Sequence, residues 1–314
     1  MRWVELLFWR FGPLVLFLAV GESSWGGAFS HDARGTSAAQ FLKLPVSARS
    51  AGLGDAVTGL DGDAASLSWN PAGLSTLEGH KALLNHTPYL DQTATSNGFY
   101  AQRLFDGGVG FGLTYFDAGT IEQTESDAGA SIGRFHPADW AASVGYGQQI
   151  LGWAVGVAGK FVTTRVIHSD STLAADVGVL SPGLWANRVR LGAAAKNLGG
   201  TLTLADMSRP LPLEYSLGAV VRPWPVWLVS GDLKFPRDDD PRVALGTEGF
   251  WLPKADWKLG ARAGWTGSVD NSLGGLAGIT LGMGASYGNL TVDYAFSPIN
   301  DLGNAHRVSI GFSF

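Results

Sequence analysis

Ala305-His-Arg-Val-Ser-Ile-Gly-Phe-Ser-Phe314 ends the chain, and it decides how the rest is read. Val308, Ile310, Phe312 and Phe314 alternate with Arg307, Ser309, Gly311 and Ser313. Successive side chains of a strand point to opposite faces, so this period of two gives a strand with one apolar and one polar face. Working backwards, Leu290, Val292, Tyr294 and Phe296 alternate with Thr291, Asp293, Ala295 and Ser297. Trp257, Leu259, Ala261, Ala263 and Trp265 alternate with Lys258, Gly260, Arg262 and Gly264. The same pattern runs through 109–115, 153–161, 189–195 and 279–287.

A soluble sandwich also alternates, but three features favour a membrane barrel. The segments run to about ten residues, the length of a tilted transmembrane strand, whereas globular strands average about 5–6. Trp and Tyr mark segment ends (Trp140, Trp153, Trp227, Trp251, Trp257, Trp265 and Tyr287), as interfacial girdles do. The chain also stops inside a strand, on Phe314. Two uncharged stretches, 140–159 and 271–292, imitate transmembrane helices by hydropathy alone. Gln148-Gln149 and Gly288-Asn289 interrupt them, so each is read as two strands and a tight turn.

Composition agrees. Charged residues make up 16% of the 314 and hydrophobic residues 46%, while the 44 glycines are too many for a helical core. In a barrel wall glycine allows close approach of another backbone. With no cysteine, disulfides, thiol catalysis and Cys-ligated zinc are excluded, and a net charge of −5 offers no basic footprint for nucleic acid. Residues 1–28 read as a secretory signal: Arg2 and Arg10, an apolar run over 11–20, then Gly26-Gly27-Ala28 at the cleavage region.

The expected fold is all-β, an antiparallel transmembrane barrel of about fourteen strands with an N-terminal plug in its lumen. The spans are 79–87, 97–105, 108–117, 139–149, 151–164, 172–181, 187–197, 213–222, 226–235, 242–251, 257–266, 276–287, 289–297 and 305–314. Connections at 105–108, 148–151, 223–226 and 287–289 are short, and those at 118–138, 198–212, 267–275 and 298–305 are longer. Short periplasmic turns and long external loops give the orientation in an outer membrane, with both barrel ends on the periplasmic side. The division is therefore 1–28 signal, 29–78 plug, and 79–314 barrel surrounded by outer-membrane lipid.

Residues 35–78 do not fit the wall. Small residues and broken periodicity predict a compact, irregular insert with short helical turns, and irregular backbone at membrane depth must be buried in protein or wetted. A plug in the lumen meets that condition, and a periplasmic tail is the alternative. The segment contains Gly35-Thr-Ser-Ala-Ala-Gln-Phe-Leu42, Ala48-Arg-Ser-Ala-Gly-Leu-Gly-Asp-Ala56 and Trp69-Asn-Pro-Ala-Gly-Leu74. These blocks resemble the PorV/PorQ outer-membrane proteins, distant relatives of the FadL long-chain fatty-acid transporters. The resemblance is strong over 35–78 and looser over the barrel. It implies a 14-stranded barrel with an N-terminal hatch, in which Asn70, Pro71 and Ala72, with Gly73, form the hatch motif. It also implies partner binding in protein secretion or surface attachment of the type IX kind, with secretion-system proteins as partners. The alternative it carries is a FadL-like transporter of hydrophobic molecules such as long-chain fatty acids. The longest connection, 118–138, is shorter than either kind typically shows, so neither partner surface nor ligand site carries over residue by residue.

No catalytic signature is present. Gly159-Lys160 lacks the Ser or Thr of a phosphate loop, and no Gly-x-Ser-x-Gly elbow occurs. The six histidines lack metal-ligand spacing, so neither metal nor cofactor is expected and the chain reads as a non-enzyme. By alternation Arg188, Arg190, Lys196, Arg262, Asp293 and Arg307 point into the lumen, as do Lys160, Asp176, Asp232, Lys234 and Lys258. They form a polar conduit or a ring that grips an anionic head group, or else mutual ion pairs that fill the interior with the plug. Asp238-Asp239-Asp240 is expected to be a solvated external turn.

Overall fold

The computed structural model describes residues 28–90, 92–124, 131–166, 168–204, 207–267, 278–298 and 303–314. Nearly all of the expected signal segment lies outside these residues, as do most of the connection expected at 267–275 and half of that expected at 298–305.

Fourteen strands close into one antiparallel barrel. The first half comprises β1 (His80–Pro88), β2 (Ala94–Leu104), β3 (Gly107–Asp117), β6 (Ala138–Ile150), β7 (Trp153–Arg165), β8 (Ser169–Leu180) and β9 (Val189–Leu198). The second comprises β12 (Glu214–Trp224), β13 (Trp227–Pro236), β14 (Arg242–Lys254), β15 (Trp257–Thr266), β16 (Ile279–Tyr287), β17 (Leu290–Pro298) and β18 (Asn304–Ser313). Every expected span coincides with one of them to within three residues at either end. Two further hairpins, β4 (Ile121–Thr124) with β5 (Ser131–Phe135) and β10 (Thr201–Leu204) with β11 (Met207–Pro210), stand in the long connections outside the barrel sheet. The terminal strand closes the ring: Lys81 faces Ser313, Leu84 faces Ile310, and His80 and Phe314 exchange backbone hydrogen bonds of 2.7 and 3.0 Å.

The wall is apolar outside and polar inside, the reverse of a soluble protein. Leu84, Leu113, Val157, Leu173 and Met283 are exposed large hydrophobics, Leu173 to 70%, while inward-facing Asn85, Asp176, Asp232 and Ser309 are buried. Lipid takes the place of water against such an outer face. Among the described residues no helix is long and apolar enough to cross a membrane. Aromatic pairs sit near the short-turn end, with ring centroids 5.3 Å apart for Trp224–Trp227 and 5.0 Å for Trp257–Tyr287. That end carries the turns at 105–106, 151–152, 181–188, 225–226, 255–256 and 288–289, and both barrel ends. The long connections and both extra hairpins occupy the opposite end.

The lumen is filled by the hatch. It is built from short pieces: helices Ala48–Gly52 and Ser66–Trp69, and 3-10 segments His31–Ala33, Gln40–Lys43 and Pro71–Thr76. Ser47 starts the first helix by a reciprocal capping box with Ser50, its hydroxyl accepting from Ser50 N at 3.1 Å. Leu53, Val57, Leu60, Leu67, Leu74 and Leu77 are buried and form the core with Phe99, Val220 and Leu228 of the wall.

The path of the hatch explains the glycines. Ala48 N donates to Ser309 Oγ of β18 at 2.8 Å, and Ala48 and Ala51 pack on Ala295 of β17. Gly52 then lies on Gly282 of β16, and Leu53-Gly54 on Gly264 of β15 and Gly246 of β14. Val57 and Thr58 bond Asp232 of β13, and Thr58-Gly59 lies on Gly218 of β12 and Gly192 of β9. Asn70 meets Gly178 of β8, Pro71-Ala72 meets Gly156 of β7 and Gly147 of β6, and Leu74 meets Gly108 and Gly110 of β3. The hatch thus makes nearly one circuit of the inner wall, visiting the strands in reverse order, before entering β1. A Cβ at Gly147 would fall 2.6 Å from Pro71 O, and one at Gly246 2.5 Å from Leu53 O. Only glycine lets the two backbones approach so closely.

Candidate ligand passage between hatch and wall

Asn70 anchors the hatch to the wall. It is fully buried, and its Nδ2 donates to Thr58 O at 2.8 Å and to Val179 O of β8 at 3.2 Å. Its Oδ1 accepts from Ala72 N at 3.2 Å, capping the 3-10 segment that Pro71 opens. Proline suits that first position because the N–H it lacks has no partner there. Gly73 is required by crowding: a Cβ would lie 2.8 Å from Ser66 Cβ and 3.1 Å from Leu60 O.

Below the hatch, toward the short-turn end, a cavity of about 240 Å³ opens between Arg49, Asp63 and the inner faces of β1 and β14–β18. Its floor is a chain of ion pairs. Arg49 Nη2 meets Glu248 Oε2 at 2.7 Å and Arg49 Nη1 meets Asp63 at 3.4 Å. Arg262 bridges Glu248 and Asp293, the latter at 2.6 Å. Glu248, Arg262 and Asp293 are all buried. The Glu248 carboxylate raises the pKa of Arg49 above its ordinary value, against the opposing effect of burial. Lys81 Nζ reaches the Gly62 carbonyl at 2.6 Å, and Lys258 Nζ lies 3.6 Å from the centroid of the Phe250 ring.

Around the circuit the remaining lumenal charges are also matched. Arg190 and Arg222 both meet Asp61 of the hatch, and Lys234 meets Asp55. Lys196 and Arg242 clamp buried Glu214 at 2.9 and 2.8 Å. Lys160 pairs with Asp176 at 2.7 Å, and Asp232 accepts two hatch N–H groups at 2.9 Å. Arg307 is buried and donates to Ser297 Oγ at 2.9 Å and Tyr89 OH at 3.3 Å. Of the two readings of the lumenal charges, mutual pairing describes Lys160, Asp176, Arg190, Lys196, Lys234, Arg262 and Asp293, whereas Arg307 and Lys258 have neutral partners. Arg188 departs from expectation: it lies exposed in the turn ahead of β9, because the strand starts one residue later, at Val189.

Above the hatch lies a narrow cleft of about 40 Å³ with a mixed lining: Phe41, Leu42, Leu44, Val46 and Trp69 are its apolar part, and Lys43, Asp55, Lys160 and Lys196 bring charge. Phe41 packs with Leu202 and Leu211 of the β10–β11 region and with Ala141 and Val162 of the wall. The indole N–H of buried Trp69 has no hydrogen-bond partner among the described residues. Over this cleft the N-terminal residues are strapped to the Asp238–Asp240 turn, which is not the solvated loop expected. Asp238 is buried and takes Lys43 at 3.0 Å and Gln40 at 2.6 Å, Asp239 takes Arg34 at 2.7 Å, and Asp240 accepts from His31 N at 2.9 Å. Burial pushes the Asp239 carboxyl up, but hydrogen bonds from Arg34 and Asp240 N–H outweigh it and leave its pKa lowered.

The alternation placed the inward charges but not their partners. Arg49, Asp55, Asp61 and Asp63 come from the hatch, where no period assigns a face. Glu248 was legible in principle, since it stands on the inward face of β14 two residues beyond Gly246.

No protein-family model matches the sequence, nor does any curated protein. Solved structures do match. The toluene transporter TodX of Pseudomonas putida superposes with a TM-score of 0.58 at 14% identity, over 84% of this chain and 96% of that one. The toluene transporter TbuX of Ralstonia pickettii gives 0.56 at 13%, over 85% and 98%. The fold is that of the toluene transporters. The shared feature is the closed fourteen-strand barrel. At this identity the likeness fixes the fold alone.

Proposed function

We propose that the chain carries small hydrophobic molecules, such as monoaromatic hydrocarbons or long-chain fatty acids, across the outer membrane. The observation that carries this reading is a hatch wound through the lumen of a fourteen-strand barrel that matches toluene transporters over nearly their whole length. On the long-loop side Phe41, Leu42, Leu44, Val46 and Trp69 give a narrow cleft one apolar wall, which suits a hydrophobic solute. The test is uptake of labelled toluene and labelled oleate by cells displaying the protein in an outer membrane without such a transporter. Rates equal to those of control cells, for both solutes, would refute it.

A second reading, PorV/PorQ-type binding of secretion partners, is favoured by the unbroken ladder around the wall and the tightly packed hatch. Cross-linking in a host with type IX secretion distinguishes it: recovery of a secretion component supports this role, and recovery of none argues against it.

A further inference from the structure

The cavity below the hatch has an imbalance that ion pairing does not remove. Four cations, Arg49, Lys81, Lys258 and Arg262, line it with three carboxylates, Asp63, Glu248 and Asp293. The distribution matters more than the count. Glu248 and Asp293 are buried beneath the two arginines, and Asp63 is engaged by Arg49. Lys81 has the Gly62 carbonyl and Lys258 the Phe250 ring, and neither has a carboxylate within ion-pair distance among the described residues. Lys258 is exposed, at the mouth. Negative charge is therefore spent in the floor, and uncompensated positive charge faces the opening. A cleft of one sign with low-dielectric walls concentrates ions of the other sign.

The rest of the lining suits the same ligand. Ser286 and Thr291, whose hydroxyls lie 2.9 Å apart, and Ser313 offer neutral donors beside the lysines. Gly260, Gly284 and Gly311 keep side chains out of the space; at Gly311 the atom nearest to an added Cβ is 3.7 Å away. At about 240 Å³ the cavity is several times the share of volume that one water takes in the liquid, about 30 Å³.

We propose that this cavity is a binding site for a compact oxyanion, a carboxylate, sulfonate or phosphate group, held by Lys81 and Lys258 with the hydroxyls of Ser286, Thr291 and Ser313. The site does not depend on the transport reading, since it concerns the opposite side of the hatch from the cleft at Phe41 and Trp69. The test is calorimetric titration of the purified full chain in neutral detergent at low ionic strength. Benzoate and benzyl alcohol are the probes, alike in ring and unlike in charge. Benzoate binds at least about tenfold more tightly, corresponding to about 1.4 kcal/mol. Inorganic phosphate displaces it, because the site reads the oxyanion and not the ring. Lys81→Gln with Lys258→Gln abolishes the preference, and Lys258→Arg keeps it. Should the double variant fail to fold, the single Lys258→Gln, at the exposed position, shows a weakened preference. Equal binding of both probes, failure of phosphate to compete, or an unchanged preference in the glutamine variants would each overturn the proposal. Failure of toluene and oleate uptake would leave it standing.

Discussion

Replacing Gly156 by alanine tests whether the inward glycines seat the hatch. The new methyl falls 2.5 Å from Pro71 O and closer still to the Pro71–Ala72 peptide. Real contacts at such a carbon begin near 3.4 Å, so something must move by about 1 Å, and neither side is a flexible side chain. On the wall side, β7 is held by complete ladders to β6 and β8. On the hatch side, the strip has no ladder: the Asn70 side chain, the bond from Gly62 N to Gly73 O and the packing of Ala72 and Leu74 fix it. The hatch is therefore the side that yields, at a cost of about 1–3 kcal/mol for overpacking. At about 3 kcal/mol, the share of molecules with this strip undocked rises roughly a hundredfold. Gly159→Ala is the internal control: it sits on the same strand, facing lipid, with nothing within 4 Å of the added carbon. In planar bilayers Gly156→Ala raises the frequency of open events and Gly159→Ala does not, and only the first lowers the unfolding temperature. If the two variants are indistinguishable in both measurements, the glycines do not seat the hatch.

Asn70→Ala removes the donor to Thr58 O and Val179 O and the acceptor for Ala72 N, so with a buried site it costs about 2–4 kcal/mol, read as a fall in melting temperature; a loss near zero contradicts the anchor. Glu248→Gln leaves Arg49 and Arg262 without their shared buried carboxylate and destabilises by about 3–5 kcal/mol, whereas Glu122→Gln, in the exposed pair with Arg134, changes stability by less than about 1 kcal/mol. Denaturant unfolding separates the two. The strap over residues 28–44 has a definite pH response at Asp239. Its folded pKa is depressed, so its stabilisation is complete above the unfolded value of about 3.9 and disappears as pH falls through the folded value. Limited proteolysis near the N-terminus therefore shows no change from pH 7 to pH 5 and faster cleavage only in stronger acid; release between pH 7 and 5 contradicts the assignment.

The wall was legible because its two faces meet different media, and a two-residue period records that difference directly. Val308, Ile310 and Phe312 need no knowledge of their neighbours to be assigned to lipid. The β4–β5 and β10–β11 hairpins were not legible: their strands are four or five residues long and lie outside the ladder, so no sustained alternation marks them. Asp238–Asp240 misled because three adjacent carboxylates look like a solvated loop, and their partners Lys43, Arg34 and His31 lie about two hundred residues away in sequence. The Asn70–Gly73 motif was visible as a motif, but its contact with β8 was not. That contact depends on Gly178 facing inward at the same height, and height in a barrel follows from register, which only the folded sheet supplies.

The circuit that the hatch makes inside the wall has a consequence for assembly. Residues 48–54 must reach β14–β18, and the bond from Ala48 to Ser309 spans 261 positions. Contacts between such distant parts of a chain form late and slowly. A coil that touches strand after strand in reverse order cannot be threaded into a finished cylinder by one end. The hatch, made before the strands, must instead be held as a template while they wrap it, and sealing β1 to β18 then encloses it.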